Sequence, residues 1–568
     1  MLLTKATDRS QKWRRAHRAT PAAPDAESAN PPLGPGAAAG EPDEIPAPLT
    51  TASHEFRYKW LIGVGVLLAA VMELVDSSIV NVAFSSMGAN LGATIDEITW
   101  VAVGYILAAV IVLPMTGWLG ARFGRKRYFL ISIAIFTAAS VMCGLATSLG
   151  SLVTWRVIQG LGGGALISTS QAILFESFPP AEKAVASALF GIGMMVGPAL
   201  GPTLGGIIVE RYTWPWIFLV NVPFGVVAFA LVWIYYRSDP PRGHETKSID
   251  ISGFALLAIG IGALQFVLER GEHYDWFDSN VIIVLAGVAV VALSTMVWWE
   301  LRVHSPVLDL RVLRDSSLTS ATSQMAAIGL ALYGSVFALP LYLQNVLGYD
   351  AETTGWLLFP SAVAAAVTMM IAARLMRFFH PRTLVAVGTL ILAGSMFMHG
   401  TLTTQSGATD VHLPVILRGA GFGLIFVPVT TAAFVGLPAR DMAHGTALFN
   451  LMRQLGGSIG IALVATQLTT GTARNRAAIV EHVSASNTLT VERLASMTHH
   501  FQVTGSDSLT ASHRALAALD GQVERQAEML AYRGAFRMLG LVVLCSLPLV
   551  LLLRRPEPGG AAPDAAMH

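Results

Sequence analysis

Five ionisable side chains sit inside long apolar stretches of this chain: Glu73, Asp76, Arg156, Arg418 and Arg453. Each costs several kcal/mol in hydrocarbon surroundings, and such a residue is a functional candidate by default. Glu73 and Asp76 are three residues apart, so a helix puts them on one face. Two carboxylates that close together in low dielectric resist simultaneous ionisation. A pair of this kind can take a proton from one side of a membrane and release it on the other. Asp76 is expected to be the principal proton carrier, with Glu73 assisting it or meeting a cationic substrate. The competing expectation is that either acid is fixed in a buried ion pair with Arg156 and only holds helices together. Arg156 cannot relay a proton by losing one, but its approach changes a neighbouring acid's affinity for protons, which ties helix movement to protonation.

The elements that position these groups follow from composition. Of 568 residues, 53% are hydrophobic and only 13% charged, and the mean hydropathy is +0.58, which places the chain among integral membrane proteins. The net charge is +1, with 37 basic against 36 acidic residues, so no global field attracts nucleic acid. Cys143 and Cys545 lie in separate apolar runs, which argues against a disulfide framework or a thiolate metal cluster. No phosphate-binding P-loop is present, no enzyme-like constellation stands out in the helices, and no cofactor is expected.

Apolar runs long enough to span a bilayer fall at about 60–82, 98–118, 128–147, 152–175, 184–209, 216–236, 250–268 and 280–299, then at about 318–344, 353–373, 382–401, 412–435, 444–467 and 534–553. Fourteen spans put both termini on one side. If that side is cytoplasmic, the cluster Arg122, Arg125, Lys126 and Arg127 is inside, and the short external loops hold only Arg211 and Arg270, as the positive-inside rule requires. Residues 1–57, rich in Ala, Pro and charge, read as a disordered cytoplasmic tail with no cleavable signal peptide, and 556–568 as a second tail. The connection 468–533 is external, and Leu516, Leu519, Val523 and Leu530 suggest an amphipathic helix in it; a solvated linker with some helix is the alternative.

At an offset of 259 residues the chain resembles itself. Gly160, Gly162 and Gly164 fall on Gly419, Gly421 and Gly423, Phe175 on Phe434, Pro179 on Pro438, Ala188-Leu189-Phe190 on Ala447-Leu448-Phe449, and Gly197 and Gly201 on Gly456 and Gly460. The decomposition is a six-helix half at 58–240, two inserted helices at 241–305, and a second six-helix half at 306–555. Parallel halves of this kind place a substrate site near the midplane between them. The same offset sets Arg418 opposite Gln159 rather than Arg156, so the halves are not chemically symmetric, and pairing within the structure is as good a reading for Arg418 and Arg453. Asn81, Gln159, Asn450 and Gln454 are further candidates for lining a cavity or pairing.

Several motifs resemble a known family. Gly117-Trp-Leu-Gly-Ala121-Arg122-Phe-Gly124-Arg125-Lys126-Arg127 resembles the loop signature of the major facilitator superfamily. Gly193-Met-Met-Val-Gly197-Pro198-Ala-Leu-Gly201-Pro202-Thr-Leu-Gly205-Gly206 is similar to that superfamily's antiporter motif, and Val75-Asp76-Ser-Ser-Ile-Val-Asn81 to the acidic motif of its fourteen-helix drug:proton antiporters, the EmrB/QacA type. Trp155-Arg156-Val-Ile-Gln159-Gly160, Trp214 to Pro223, and Asp250, Gly253, Gly271 and Trp276 in the inserted pair agree. Ala121 stands where many members have an acid, so the gate salt bridge inferred for those members lacks its acid at that position. Glu73 adds a second acid where related exporters are often neutral.

The resemblance covers about 58–555 and implies an all-α integral membrane protein with 14 transmembrane helices, two six-helix halves and two inserted helices. It implies proton-driven export of amphipathic or cationic small molecules across the cytoplasmic (inner) membrane, with Asp76, Glu73 and Arg156 in proton coupling. Gly117, Arg122, Gly124, Arg125 and Lys126 would form a cytoplasmic gate, with the basic residues latching acids or helix carboxyl ends. The glycines and prolines of the 193–206 motif would form a hinge, in which small residues allow close packing and the prolines permit a bend. A periplasmic membrane-fusion adaptor and an outer-membrane channel are implied as partners. Export of one dedicated metabolite or lipid, or a non-transporting sensor or scaffold of the same fold, are the alternatives.

Overall fold

The computed structural model describes residues 51–179, 182–237, 250–303, 306–434, 437–438, 441–484 and 486–553. Apart from 51–57, the expected tails lie outside the described residues. All regular structure among the described residues is helical, the solution that satisfies backbone polar groups within a single segment in lipid. Among the described residues, thirteen helices are long and apolar enough to span. In chain order, the first half holds α1 (Arg57–Ala83), α2 (Trp100–Phe123), α3 (Arg125–Gly144), α4 (Leu149–Ser177), α5 (Lys183–Arg211) and α6 (Trp216–Tyr235). Of these, α5, at 29 residues, is the fourteenth span. Next come the inserted pair α7 (Ile251–Arg270) and α8 (Asn280–Glu300), then α9 (Ser316–Val346), α10 (Glu352–Leu375), α11 (Pro381–His399), α12 (Ala408–Phe434) and α13 (Met442–Val480). A shorter helix, α14 (Thr488–Val503), precedes the last span, α15 (Ser508–Cys545).

Local sequence starts these helices. Ser148, Asp250, Asp350 and Asp507 cap α4, α7, α10 and α15 by accepting a hydrogen bond from the backbone N–H three residues on. Gly124, with φ +84°, makes the tight turn between α2 and α3, a conformation that side-chain-bearing residues rarely adopt.

The internal repeat is visible as packing. A Cβ on Gly160 or Gly164 of α4 would run into the carbonyls of Tyr105 and Ala109 on α2; on Gly419 or Gly423 of α12 it would run into those of Ser361 and Ala365 on α10. Gly162 lies on Ser132 and Phe136 of α3, and Gly421 on Leu392 of α11. Gly197 and Gly201 of α5 seat against Leu74 and Ser78 of α1, while Gly456 and Gly460 of α13 seat against Ala326 and Leu330 of α9. Glycines at equivalent positions thus bring equivalent helix pairs into backbone contact, the way membrane helices associate without a hydrophobic driving force.

The halves meet near the chain ends of their helices on the side of the 123–125 turn. Phe175 and Phe434 stack edge to face at 5.2 Å, Phe190 stacks on Phe426, and the Ser187 and Thr431 hydroxyls are 2.9 Å apart. This end of the seam is closed. Inserted helix α7 covers the seam between α2 and α13, with Leu257 and Ile261 in one buried cluster with Val110 and Leu113 of one half and Leu448 and Leu451 of the other.

On the far side, the connection at 468–533 is mostly helix: α13 runs on to Val480 and α15 begins at Ser508. Its buried stripe differs from the expected one. Ala511, Ala515, Val523, Ala527 and Ala531 face inward, whereas Leu516 and Leu530 are exposed. Small side chains let α13 and α15 approach closely, with Asn475 donating to the Ala527 carbonyl and Arg476 pairing with Asp520 and Glu524, so close approach rather than leucine burial set the face.

Candidate functional site

Asp76 lies at the centre of the first half, fully buried. Arg156 Nη1 of α4 donates to its Oδ2 at 2.5 Å, and Gln159 Nε2 and Asn221 Nδ2 donate to its Oδ1 at 3.0 and 2.7 Å. Gln159 and Asn221 also donate to Ser140 of α3, whose hydroxyl donates to the Phe218 carbonyl. Arg156 has further partners: its Nε donates to the Val101 carbonyl, its Nη1 also to Gln159 Oε1, and its guanidinium lies 4.2 Å from the Tyr105 ring centroid. A buried ion pair is tolerable only when the remaining lone pairs and protons are satisfied in this way. The network joins α1, α2, α3, α4 and α6.

Glu73, one turn earlier on α1, is placed differently. The Tyr105 hydroxyl donates to its Oε1 at 3.1 Å, and its Oε2 is buried with no hydrogen-bond partner among the described residues. Of the two acids, Glu73 therefore has the free oxygen, and Asp76, expected as the principal proton carrier, is the fully coordinated one. The reason is geometric: Asp76 points into its own helix bundle, where three donors converge on it.

Across the seam, Asn450 of α13 donates to Gln171 Oε1 of α4 at 2.6 Å. Arg453, one turn further along α13, donates through Nε to Asn450 Oδ1 and through Nη1 to the Tyr333 hydroxyl, while its Nη2 lacks a partner among the described residues. Arg418 is buried with only Ser361 as an acceptor, and its Nη1 is unpartnered among the described residues. Gln159, its counterpart at the 259-residue offset, instead serves Asp76. Asn81 is exposed at the far end of α1, away from this group, and Gln454 is half-buried.

In the loop motif, Arg125 pairs with Glu176 near the end of α4, and Lys126 donates to the Trp233 carbonyl in the last turn of α6 at 2.7 Å, at a helix carboxyl end. Both contacts stay within the first half, and Arg122 is exposed. Other residues of the motif reach across: a Cβ on Gly117 would meet the His444 ring of α13 at 2.7 Å, and Leu119 packs against the cluster that holds Leu448 and Leu451. Along the antiporter motif, Gly193, Gly197, Gly201 and Gly205 form one stripe against α1 from Val71 to Ile79, while Gly206 faces open space. The backbone is helical throughout the motif; the side chains of Pro198 and Pro202 lie outside the described ones.

Tyr105, Ser140, Gln171, Tyr333 and His444 were not marked by the sequence as site residues. They are single polar or aromatic groups in apolar runs, and their partners lie far away in the chain.

Two repeat-related six-helix halves closing over buried ionisable groups define a membrane transporter architecture. The Major Facilitator Superfamily profile matches residues 66–461, and the chain belongs to that superfamily. It is 34% identical over 487 residues to the multidrug export protein EmrB of Haemophilus influenzae, covering 85% of this chain and 94% of that protein. It is 35% identical over 429 residues to the multidrug export protein EmrB of Escherichia coli strain K12, covering 75% and 83%. The crystal structure of the human organic anion transporter MFSD10 (TETRAN) shares the fold with a TM-score of 0.54 at 13% identity, over 86% of this chain and 99% of that one.

Proposed function

We propose that the protein is a proton-coupled multidrug efflux antiporter that exports amphipathic or cationic compounds across the cytoplasmic membrane by alternating access. The relatives named as multidrug export proteins support the export role. The coupling mechanism rests on one observation: of two acids on one face of α1, Asp76 is saturated by Arg156, Gln159 and Asn221, while Glu73 keeps a buried oxygen without a partner. Glu73 is then the exchanging proton site. Asp76 and Arg156 hold the first half rigid around it and supply the neighbouring charge that sets its proton affinity.

The rocking bodies are residues 58–240 and 306–555, with 241–305 inserted, and both termini are cytoplasmic, so the closed end of the seam faces the cytoplasm. Glu73 loads a proton from outside, the inner end opens, and proton release inside accompanies substrate capture. For a neutral compound one inward proton contributes about 2.3 kcal/mol per 100 mV of potential; exchange of one proton for a monovalent cation moves no net charge and is driven by the pH difference, in either case without ATP. The helical projection at 468–533 offers a surface to a membrane-fusion adaptor, and through it to an outer-membrane channel.

The test is ethidium efflux from proteoliposomes of the purified protein under an imposed proton gradient. Efflux that rises with the gradient and stops when a protonophore collapses it supports antiport. Efflux indifferent to the gradient sinks it.

A further inference from the structure

The inserted pair touches both halves of the molecule, and the chemistry of that contact changes along its length. On the side of the 123–125 turn it is apolar: Leu257 and Ile261 of α7 share a buried cluster with Val110 and Leu113 of α2 and with Leu448 and Leu451 of α13. At the far end it is polar. Gln265 Nε2 of α7 donates to Ser458 Oγ of α13 at 2.8 Å, Trp276 Nε1 of the α7–α8 loop donates to Thr466 Oγ1 at 2.9 Å, and the Thr469 hydroxyl donates to Glu272 Oε1 at 2.7 Å. Arg270 Nη2, in the last turn of α7, donates to Thr99 Oγ1 beside the start of α2 at 2.7 Å, and its guanidinium lies 5.0 Å from the Trp100 ring centroid. One short stretch of chain, 265–276, is thus bonded to both halves.

The loop is built for this contact. Asp275 and Trp276 take φ values of +53° and +52°, a region that side-chain-bearing residues rarely adopt. Such a conformation persists only where the surroundings hold it. Here the Trp276 indole is held by Thr466 and by the close approach of its ring to Gly271, where a Cβ would meet it at 2.6 Å.

The two kinds of contact respond differently to movement in a bilayer. Lipid tails are as apolar as leucine, so an apolar helix face that leaves its neighbour is covered again at little cost. A buried hydrogen bond that breaks strands its donor and acceptor where nothing replaces them. Gln265, Ser458 and Arg270 are all buried.

We infer that the inserted pair is a tie that pins the far ends of α2 and α13 to each other throughout the cycle, while their ends near the 123–125 turn part by sliding over the apolar stretch of α7. The halves then turn about the α2–α13 side of the molecule. The inference rests on the rocking halves proposed above, in which the end near the 123–125 turn opens.

One experiment fails differently for the two claims. Spin labels are placed in pairs on the full-length protein carrying Cys143→Ser and Cys545→Ser, at the exposed positions Glu97→Cys and Ala473→Cys for the far end, and Ala121→Cys and Pro438→Cys for the near end. Distances are read by double electron–electron resonance in lipid nanodiscs at acidic and alkaline pH, with and without ethidium. The expected result is a near-end distance that changes between conditions while the far-end distance stays a single narrow peak. A far-end distance that changes along with the near-end one overturns the tie and leaves the rocking intact. Distances unchanged at both ends overturn the rocking and the tie with it. The combined substitutions Thr99→Val, Ser458→Ala and Thr466→Val remove hydroxyl partners with little change of shape, and are expected to let the far-end distance vary. A far end that stays fixed in that variant overturns the hydrogen bonds as the tie.

Discussion

Phe175 and Phe434 occupy equivalent positions in the two halves of the chain, 259 residues apart, and they stack on each other at 5.2 Å where the halves close. A repeat-related pair in direct contact marks a local two-fold relation at the closed end. If that end must open during export, tying the pair together must stop the cycle. In a background with Cys143→Ser and Cys545→Ser, the double variant Phe175→Cys/Phe434→Cys joined by a flexible bis-maleimide is expected to lose ethidium efflux, while each single cysteine variant treated alike keeps it. Undiminished efflux from the joined protein contradicts opening at this end.

The glycine stripe of α5 supplies a contrast within one motif. A methyl group at Gly201 would run into Ser78, whereas Gly206 has nothing within 4 Å. Gly201→Ala is expected to destabilise the protein by about 1–3 kcal/mol, the usual cost of overpacking, seen as a lower Tm in detergent. Gly206→Ala is expected to match the parent. Equal Tm values for the two would show that the stripe does not pack as described.

In the loop motif, Gly117 faces His444 of the opposite half and Gly120 faces open space. Gly117→Ala is expected to hinder closure and slow gradient-driven efflux, with Gly120→Ala close to parental. The reverse order of effects, measured in the same vesicles, would contradict a cross-half contact at Gly117.

The Asp76–Arg156 pair is expected to behave as a buried ion pair. Arg156→Ala strands the Asp76 carboxylate with two neutral donors, and breaking a buried pair on one side costs about 3–5 kcal/mol. The double variant Asp76→Asn/Arg156→Ala removes the uncompensated charge and is expected to recover part of the loss in thermal unfolding. A double variant no more stable than Arg156→Ala alone would argue against mutual compensation.

Much of this architecture was legible in the sequence because membrane packing leaves coarse marks. The apolar runs became the spans, and Gly160 and Gly419 could be matched because only a residue without a side chain tolerates the carbonyls of Tyr105 and Ser361. Asp76 and Arg156 stood out because charge in hydrocarbon demands a partner. The division of labour between Glu73 and Asp76 was not legible: it depends on Gln159 and Asn221 converging from α4 and α6 on one carboxylate and not on its neighbour. The stripe expected within 468–533 holds at Val523 but not at Leu516 and Leu530, which are exposed, because burial there follows the alanines at 511, 515, 527 and 531 that allow two helices to touch. Gln171 and Asn450 show the general difficulty, since 279 residues separate two ordinary amides that meet at the seam.

The account centres on Glu73 as the acid that couples protons to export, and gradient-driven transport can be measured apart from passive exchange in the same proteoliposomes. Glu73→Gln is expected to bind ethidium and exchange it down its own gradient while no longer responding to an imposed proton gradient. Glu73→Gln with parental gradient-driven efflux, alongside a well-folded Asp76→Asn that has lost only that response, would contradict the account and return the proton to Asp76.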